Sequence, residues 1–304
     1  MTEIQKGRRA RKIKDFLIAA AFILPGMLCV FFFKYVMSAQ SLIYSFFNYN
    51  YKNPMQSTFV GLDNYIRVLA ASSWFWPQLK NTLIMWAFSL CFGFITPIIQ
   101  ALLLNEIKGK GRILARYLYV LPAAVPGVAG LAVWRYIWNY DAGIANMLVQ
   151  LFGGDKVRWL GDPNVIKLTL TLPGILGGGL NLLIYLIAIE GISPELYEAS
   201  ALDGATRWKM MLFITLPQIA YMISIQLLLS ISGSLLAFDT PYIMTDGSGG
   251  PGSPPAATTI VFGIYTKAYQ ELDYGAGMAM SMLVLCMTLI MTFIKQTVEK
   301  RFED

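Results

Sequence analysis

SPELYEASALDGATRWKMMLFITLP, residues 193–217, separates two strongly apolar runs and reads as a short helical hairpin. Ser193 is a strong N-cap because its hydroxyl can accept an orphan N–H of the first turn. Pro194 follows at the one helical position where a missing N–H costs nothing. Asp203-Gly204 supplies the break, since glycine readily takes the left-handed conformation that ends a helix. Leu196, Tyr197, Ala199, Ala201 and Leu202 give one side an apolar character, while Glu195 and Glu198 keep the other polar. A connection between membrane helices need not be this organised. The hairpin reads as a docking element.

Outward from the hairpin, the chain is membrane-like. Hydrophobic residues make up 56% of its 304 positions and charged residues only 14%, a balance foreign to soluble domains. About twenty apolar residues cross a bilayer, and six segments approach or exceed that length: 16–37, 82–104, 117–138, 168–189, 212–237 and 278–294. The fold class this predicts is all-α and integral to the membrane. A basic segment, 1–15, precedes a six-span body, 16–294, which carries the hairpin loop, 191–217; a short tail, 295–304, follows. Pro173 and the Gly177-Gly178-Gly179 triplet interrupt the fourth segment, as membrane helices tolerate where neighbours or a cavity satisfy the backbone.

Lys and Arg outnumber Asp and Glu by 24 to 18, yet their placement follows alternate connections instead of forming a nucleic-acid-binding face. Lys6, Arg8, Arg9, Arg11, Lys12 and Lys14 crowd before the first span, and Lys108, Lys110, Arg112 and Arg116 fill the second connection. Arg207 and Lys209 lie in the hairpin, and Lys295, Lys300 and Arg301 close the chain. The intervening connections are sparser. The positive-inside rule therefore places both termini and the hairpin in the cytoplasm. The first apolar run is too long for a secretory signal and lacks a small-residue cleavage site, so it reads as a retained signal anchor.

The same residues exclude much chemistry. With no histidine in the chain, imidazole metal sites, triads and proton relays are ruled out. Cys29, Cys91 and Cys286 fall inside spans and read as small buried hydrophobes. There is no G-x-x-x-x-G-K-[ST] loop to cradle a phosphate, so the chain is not expected to be an enzyme or to bind ATP, a metal or a cofactor itself. An ion-coupled transporter, a rival of a different class, needs buried carboxylates near mid-membrane. Formally charged residues in the spans are few, Lys34 and Arg135 with Glu190 at a boundary, and the two cations lie near enough to span ends to snorkel. A membrane enzyme would need clustered groups, whereas Asp63 and Asp239 stand isolated in the sequence.

Glu198-Ala199-Ser200, three residues, Gly204, nine residues and then Ile214-Thr215-Leu216-Pro217 resembles the EAA loop of binding-protein-dependent ABC importer permeases. Ser200 stands where that pattern has a second alanine. The resemblance implies the type I ABC importer permease fold, with Glu198, Ala199, Ser200, Asp203, Gly204, Ile214, Leu216 and Pro217 forming the element that docks in a cleft on a cytoplasmic ATPase. It further implies a pore shared with a second homologous permease, here a related chain in a heterodimer. Two ATPase subunits carrying ATP and Mg, and an extracytoplasmic substrate-binding protein, complete the assembly in a bacterial or archaeal cytoplasmic membrane.

Two predicted external stretches are similar to the carbohydrate branch of that family. The first holds Phe59–Tyr65, FVGLDNY, then Phe75-Trp76 and Asn81-Thr82-Leu83. The second holds Thr245–Gly252, TDGSGGPG, then Thr258-Thr259, Tyr265, Tyr269 and Tyr274-Gly275. By composition alone, the aromatic cluster would be an interfacial belt and the Gly/Pro run a flexible linker. The resemblance implies a sugar or oligosaccharide as solute, with glycerol 3-phosphate or another polar solute of the same class as the alternative. The solute path is expected on the spans flanking the hairpin. Gly177 and Asn181 are four apart, and Ser230, Gly233 and Ser234 share a face. Small residues leave room and Asn or Ser can bond a polyhydroxylated solute; the same spacing also suits tight helix packing and serine bonds to the helix backbone.

Overall fold

The computed structural model describes the backbone of residues 3–107, 109–177 and 179–303. Lys108 and Gly178, and the side chains of the basic residues before Lys14, of Lys110 and Arg112, and of Lys295, Lys300 and Arg301, lie outside the described residues. Helix dominates. Strand is confined, among the described residues, to one short antiparallel pair, Phe47–Asn48 with Thr58–Phe59.

Among the described residues, three unbroken helices are long and apolar enough to cross a bilayer: Lys14–Tyr44, Phe75–Glu106 and Tyr274–Ile294. Two bent helix pairs pass the same test of length and composition. Ile166–Leu176 meets Gly179–Glu190 at 48°, and Arg207–Gln218 meets Ala220–Leu235 at 64°. The remaining predicted span, 117–138, is built as two 11-residue helices, Lys110–Val120 and Gly127–Ile137, around a tight turn at Leu121–Ala124. Pro126 accounts for the break, because it forces Val125 into the extended conformation, with ψ 129°. Proline shapes two other crossings by a gentler route. Pro97 and Pro217 each lie two residues beyond a widened helical turn, Leu90–Ile95 and Met211–Thr215. The wider turn moves the carbonyl four residues back away from the proline ring.

The chain divides into two compact units, residues up to Val68 with Lys267–Met282, and Leu69–Thr266 with the residues from Leu283 onward. In the first, the FVGLDNY stretch acts as a clamp. Fully buried Asn64 donates from Nδ2 to Ser45 O at 2.8 Å and to Phe47 O at 2.9 Å. Arg67 donates to Asn64 Oδ1 at 2.5 Å and pairs with Asp63 at 3.2 Å and Asp273 at 3.3 Å. Asp63, isolated in the sequence, is thus half of an ion pair. Gly275 passes so close that a Cβ there would sit 2.5 Å from Phe47 O.

In the second unit, Leu182, Tyr185, Leu186 and Ile189 form one helical stripe and pack against Ile98, Ala101 and Leu102. Gly174 approaches Gly93 of the widened turn, where an added Cβ would lie 3.1 Å from the Gly93 Cα. A second apolar cluster gathers Met85, Trp138, Ile166, Leu170, Met244 and Ala257. The Gly/Pro-rich loop is folded onto it. Asn81 donates to Pro255 O and Thr258 O, each at 3.2 Å, and Thr82 Oγ1 accepts the Ile260 N–H at 3.0 Å. A Cβ on Gly249 would meet Thr258 Oγ1 at 2.3 Å. This loop is a packed plug, and the flexible-linker reading is wrong. The three cysteines also depart from expectation: Cys29, Cys91 and Cys286 are exposed on helix surfaces. A lipid-facing position demands apolarity as strongly as a core does, so hydropathy could not separate the two.

Candidate functional site

Residues 193–217 fold as the hairpin their sequence implies. The first arm is the helix Pro194–Leu202, whose cap Ser193 accepts the Glu195 N–H at 3.3 Å. Its end is a Schellman motif: the Ala205 N–H reaches Ser200 O at 3.0 Å and the Gly204 N–H reaches Ala201 O at 3.1 Å. Gly204 carries the positive φ this requires, +76°, and a Cβ there would meet nothing within 4 Å. The need for glycine is therefore backbone conformation, with no crowding by the chain itself.

The second arm, Arg207–Met210, continues through the widened turn Met211–Thr215 to Leu216 and Pro217, just before the 64° bend into Ala220–Leu235. Tyr197 OH and Thr215 Oγ1 bond across the hairpin at 2.9 Å. Thr215 is buried, Ile214 and Leu216 half-buried, and Pro217 exposed. Two ion pairs tie the hairpin's flanks to neighbouring helices: Arg207 with Glu106 at 3.6 Å, and Arg116 with Glu190. Both are partly solvated, so each contributes at most about 1 kcal/mol.

None of the helix Pro194–Leu202 is buried. Glu198, Ala199 and Asp203 are exposed, Ser200 is half-buried and turns its hydroxyl back to Tyr197 O at 2.9 Å, and Leu202 is 90% exposed. Of the apolar side read from the sequence, Tyr197 is half-buried, while Leu196, Ala199, Ala201 and Leu202 are exposed. Sequence reasoning missed a large apolar groove of about 810 Å³ beside the second arm, where Trp208, Leu212 and Leu216 face Ile95, Ile99 and Leu103. Its residues were visible only as parts of separate spans.

The residues expected along a solute path are less unified. Gly177 closes the short helix Gly174–Gly177, its surroundings outside the described residues, and Asn181 is exposed on Gly179–Glu190. The 48° bend between these pieces removes the shared helical face that a continuous span would give them. Ser230 and Ser234 do lie together on Ala220–Leu235, with Gly233 exposed beside them. Their hydroxyls donate to their own helix, to Leu227 O and Ile231 O, each at 2.7 Å. Only their acceptor lone pairs remain for a solute. Beyond the helix end stands an aromatic nest that the spacing did not reveal. Phe238 stacks on Tyr242 at 4.9 Å, and Tyr265 packs against both, at 5.3 and 5.2 Å. The hydrogen bond with Tyr242 holds the Tyr265 phenol above its ordinary pKa, so it stays neutral.

This architecture defines an all-α, multi-pass integral membrane protein with an exposed, doubly capped hairpin leading into one of its apolar helices. The sequence profile of the binding-protein-dependent transport system inner membrane component matches residues 93–304, and the chain belongs to that family. It is 32% identical over 240 residues to the trehalose/maltose transport system permease protein MalF of Thermococcus litoralis, with 79% of each chain covered. The polygalacturonan/rhamnogalacturonan transport system permease protein YteP of Bacillus subtilis is 30% identical over 286 residues, covering 93% of this chain and 87% of YteP. A chain of a bacterial ABC transporter involved in the import of the acidic polysaccharide alginate superposes with a TM-score of 0.83 at 26% identity, over 98% of this chain and all of that one. The fold is that of type I ABC importer permeases.

Proposed function

We propose that this chain is the permease subunit of an importer for a sugar or oligosaccharide, supplying half of the translocation path and coupling it to a cytoplasmic ATPase through Ser193–Pro217. The observation that carries the coupling role is the helix Pro194–Leu202, capped at both ends yet burying none of its residues. Ordering nine residues costs conformational entropy that burial normally offsets; a partner that covers the apolar side offsets it here. On this reading the hairpin, both termini and the ATPase share the cytoplasmic side, an orientation the distribution of Lys and Arg supports for the chain. ATP and Mg belong to the partner ATPase, whose closure draws the hairpin along. The second arm transmits that pull, because its widened turn and Pro217 lead directly into the bent crossing.

A carbohydrate solute is supported by the relatives, permeases of trehalose/maltose and polygalacturonan/rhamnogalacturonan transport systems. A second homologous permease and an extracytoplasmic binding protein complete the assembly. The test is purification from the native membrane under mild conditions, followed by uptake in vesicles. An accompanying permease, ATPase and binding protein, with saccharide uptake that requires ATP, is the expected result. A chain that emerges alone and transports in ATP-free vesicles would refute the reading.

A further inference from the structure

The compact unit built from the residues up to Val68 and Lys267–Met282 holds a hollow of about 460 Å³. That volume lies within the range of small-molecule sites. Three tyrosines, Tyr49, Tyr51 and Tyr274, wall it, together with Asn48, Lys52 and Gln56. Tyr51 and Tyr274 stack with centroids 5.4 Å apart and ring planes at 28°, and Tyr49 meets Tyr274 edge-on at 6.2 Å. Tyr51 is nonetheless 64% exposed, which leaves much of its ring surface free. Asn48, Lys52 and Gln56 are exposed and their side chains make no hydrogen bond or ion pair with other described residues.

The walls are held firmly. Asn50 Oδ1 accepts the N–H groups of Lys52 at 3.0 Å and Asn53 at 3.1 Å, and the Asn50 N–H donates to Ser57 Oγ at 3.0 Å. These bonds fix the loop that presents Tyr51. Tyr274 is fixed by the Asn64–Arg67 clamp, because Asp273 pairs with Arg67 and accepts the Ala276 N–H at 3.1 Å. At the rim, Leu272 is held at φ +57°, a costly conformation for a residue with a side chain. Strain of this kind persists only where the surroundings impose it, and it gathers at binding sites.

A belt of aromatics at a lipid surface needs neither concavity nor unengaged amides. Open aromatic surface flanked by amide donors and acceptors suits a pyranose, whose C–H face stacks on a ring while its hydroxyls bond the amides. We propose that this hollow is an extracytoplasmic saccharide-binding subsite that takes one or two sugar rings of an oligosaccharide. Its biological occupant rests on the carbohydrate reading above; its capacity to bind a saccharide is testable separately.

The test uses the transporter purified with its accompanying subunits. Maltotriose and a galacturonic acid trisaccharide, each bearing a diazirine, are photolysed with it in the presence and absence of the binding protein, and the labelled peptides are mapped. Labelling of the Tyr49–Lys52 or Leu272–Tyr274 segment should be competed by the unlabelled trisaccharide, fall about tenfold in Tyr51→Ala and persist in Tyr51→Phe, since stacking needs the ring and not the hydroxyl. Labelling only with the binding protein present would identify a sugar handed over by it, and labelling without it a free sugar; both support the subsite. No labelling of these segments by either probe, or labelling indifferent to Tyr51→Ala, overturns it. Weaker capture of the binding protein by Tyr51→Ala without any labelling also overturns it, and makes the hollow a protein-docking surface. Uptake by the same preparation reports independently: a wild-type complex that imports no saccharide defeats the carbohydrate reading whatever the labelling shows.

Discussion

The Tyr197 hydroxyl lies 2.9 Å from Thr215 Oγ1, and this bond joins the exposed arm of the hairpin to the arm that runs into the next crossing. The exposed helix has nothing buried to hold it, so its direction relative to the second arm depends on such contacts. If the hairpin transmits force, this bond lies in the path.

Tyr197→Phe and Thr215→Val should therefore each lower ATP-driven uptake about fivefold, the equivalent of one ordinary hydrogen bond of about 1 kcal/mol. The ATPase activity of the complex should persist, because the nucleotide site is on another subunit. The double variant should lose no more than either single one, as expected for partners in one contact. Uptake and ATP hydrolysis in the same proteoliposomes measure both, and full coupling in the single variants would mean that the contact carries no force.

Gly204 makes a different demand. Its φ of +76° is costly for any residue with a Cβ, by about 1–2 kcal/mol, while open space surrounds the position. Gly204→Val should unravel the Schellman turn, speed proteolysis between Leu202 and Arg207, and abolish uptake with membrane insertion intact. Gly204→Asn should keep more activity, since asparagine tolerates the left-handed region. Equal loss in both variants would point to steric exclusion by a partner, with backbone conformation secondary.

The hairpin was legible because local chemistry sets it: a cap at Ser193, a proline at the first helical position and a glycine at the Schellman position all act within a few residues. The break in the fourth crossing was legible from Pro173 and the glycine triplet for the same reason. The division of the third predicted span was not, because apolar content says only that 117–138 can enter a membrane, whereas Pro126 splits it into two helices. Neither could hydropathy separate Cys29, Cys91 and Cys286 on outer helix faces from buried positions. The clamp around Asn64 and the hollow beside Tyr51 join residues more than 200 positions apart, as the Arg67–Asp273 pair does. No local pattern records such pairings.

Asn81-Thr82 shows how a short polar pair becomes structural. Thr82 Oγ1 donates to Gln78 O at 2.8 Å and accepts the buried Ile260 N–H at 3.0 Å, so it pins the folded Gly/Pro loop to the second crossing. Thr82→Val should destabilise the protein by about 1–3 kcal/mol, because the Ile260 N–H loses its acceptor without gaining water. Thr82→Ser should retain most of the stability. Thermal unfolding followed by size-exclusion chromatography in detergent compares the two, and equal midpoints would mean that the loop is held elsewhere.

Gly275 tests whether the clamp and the saccharide hollow are one construction. A Cβ at this position would lie 2.5 Å from Phe47 O and 2.8 Å from Asn64 Nδ2, both parts of a fixed hydrogen-bonded core. Neither atom can yield without breaking the bond between them, so Gly275→Ala should destabilise this unit by about 1–3 kcal/mol, as overpacking does elsewhere. The same displacement moves the start of the last helix, and with it Tyr274, away from Tyr51. Gly275→Ala should then reduce saccharide labelling even in molecules that remain folded, whereas Arg67→Ala, which removes two partly exposed ion pairs and the bond to Asn64 Oδ1 but introduces no clash, should reduce it less. If Gly275→Ala lowers the melting temperature but leaves labelling of the folded fraction intact, the clamp holds the fold together without setting the geometry of the hollow.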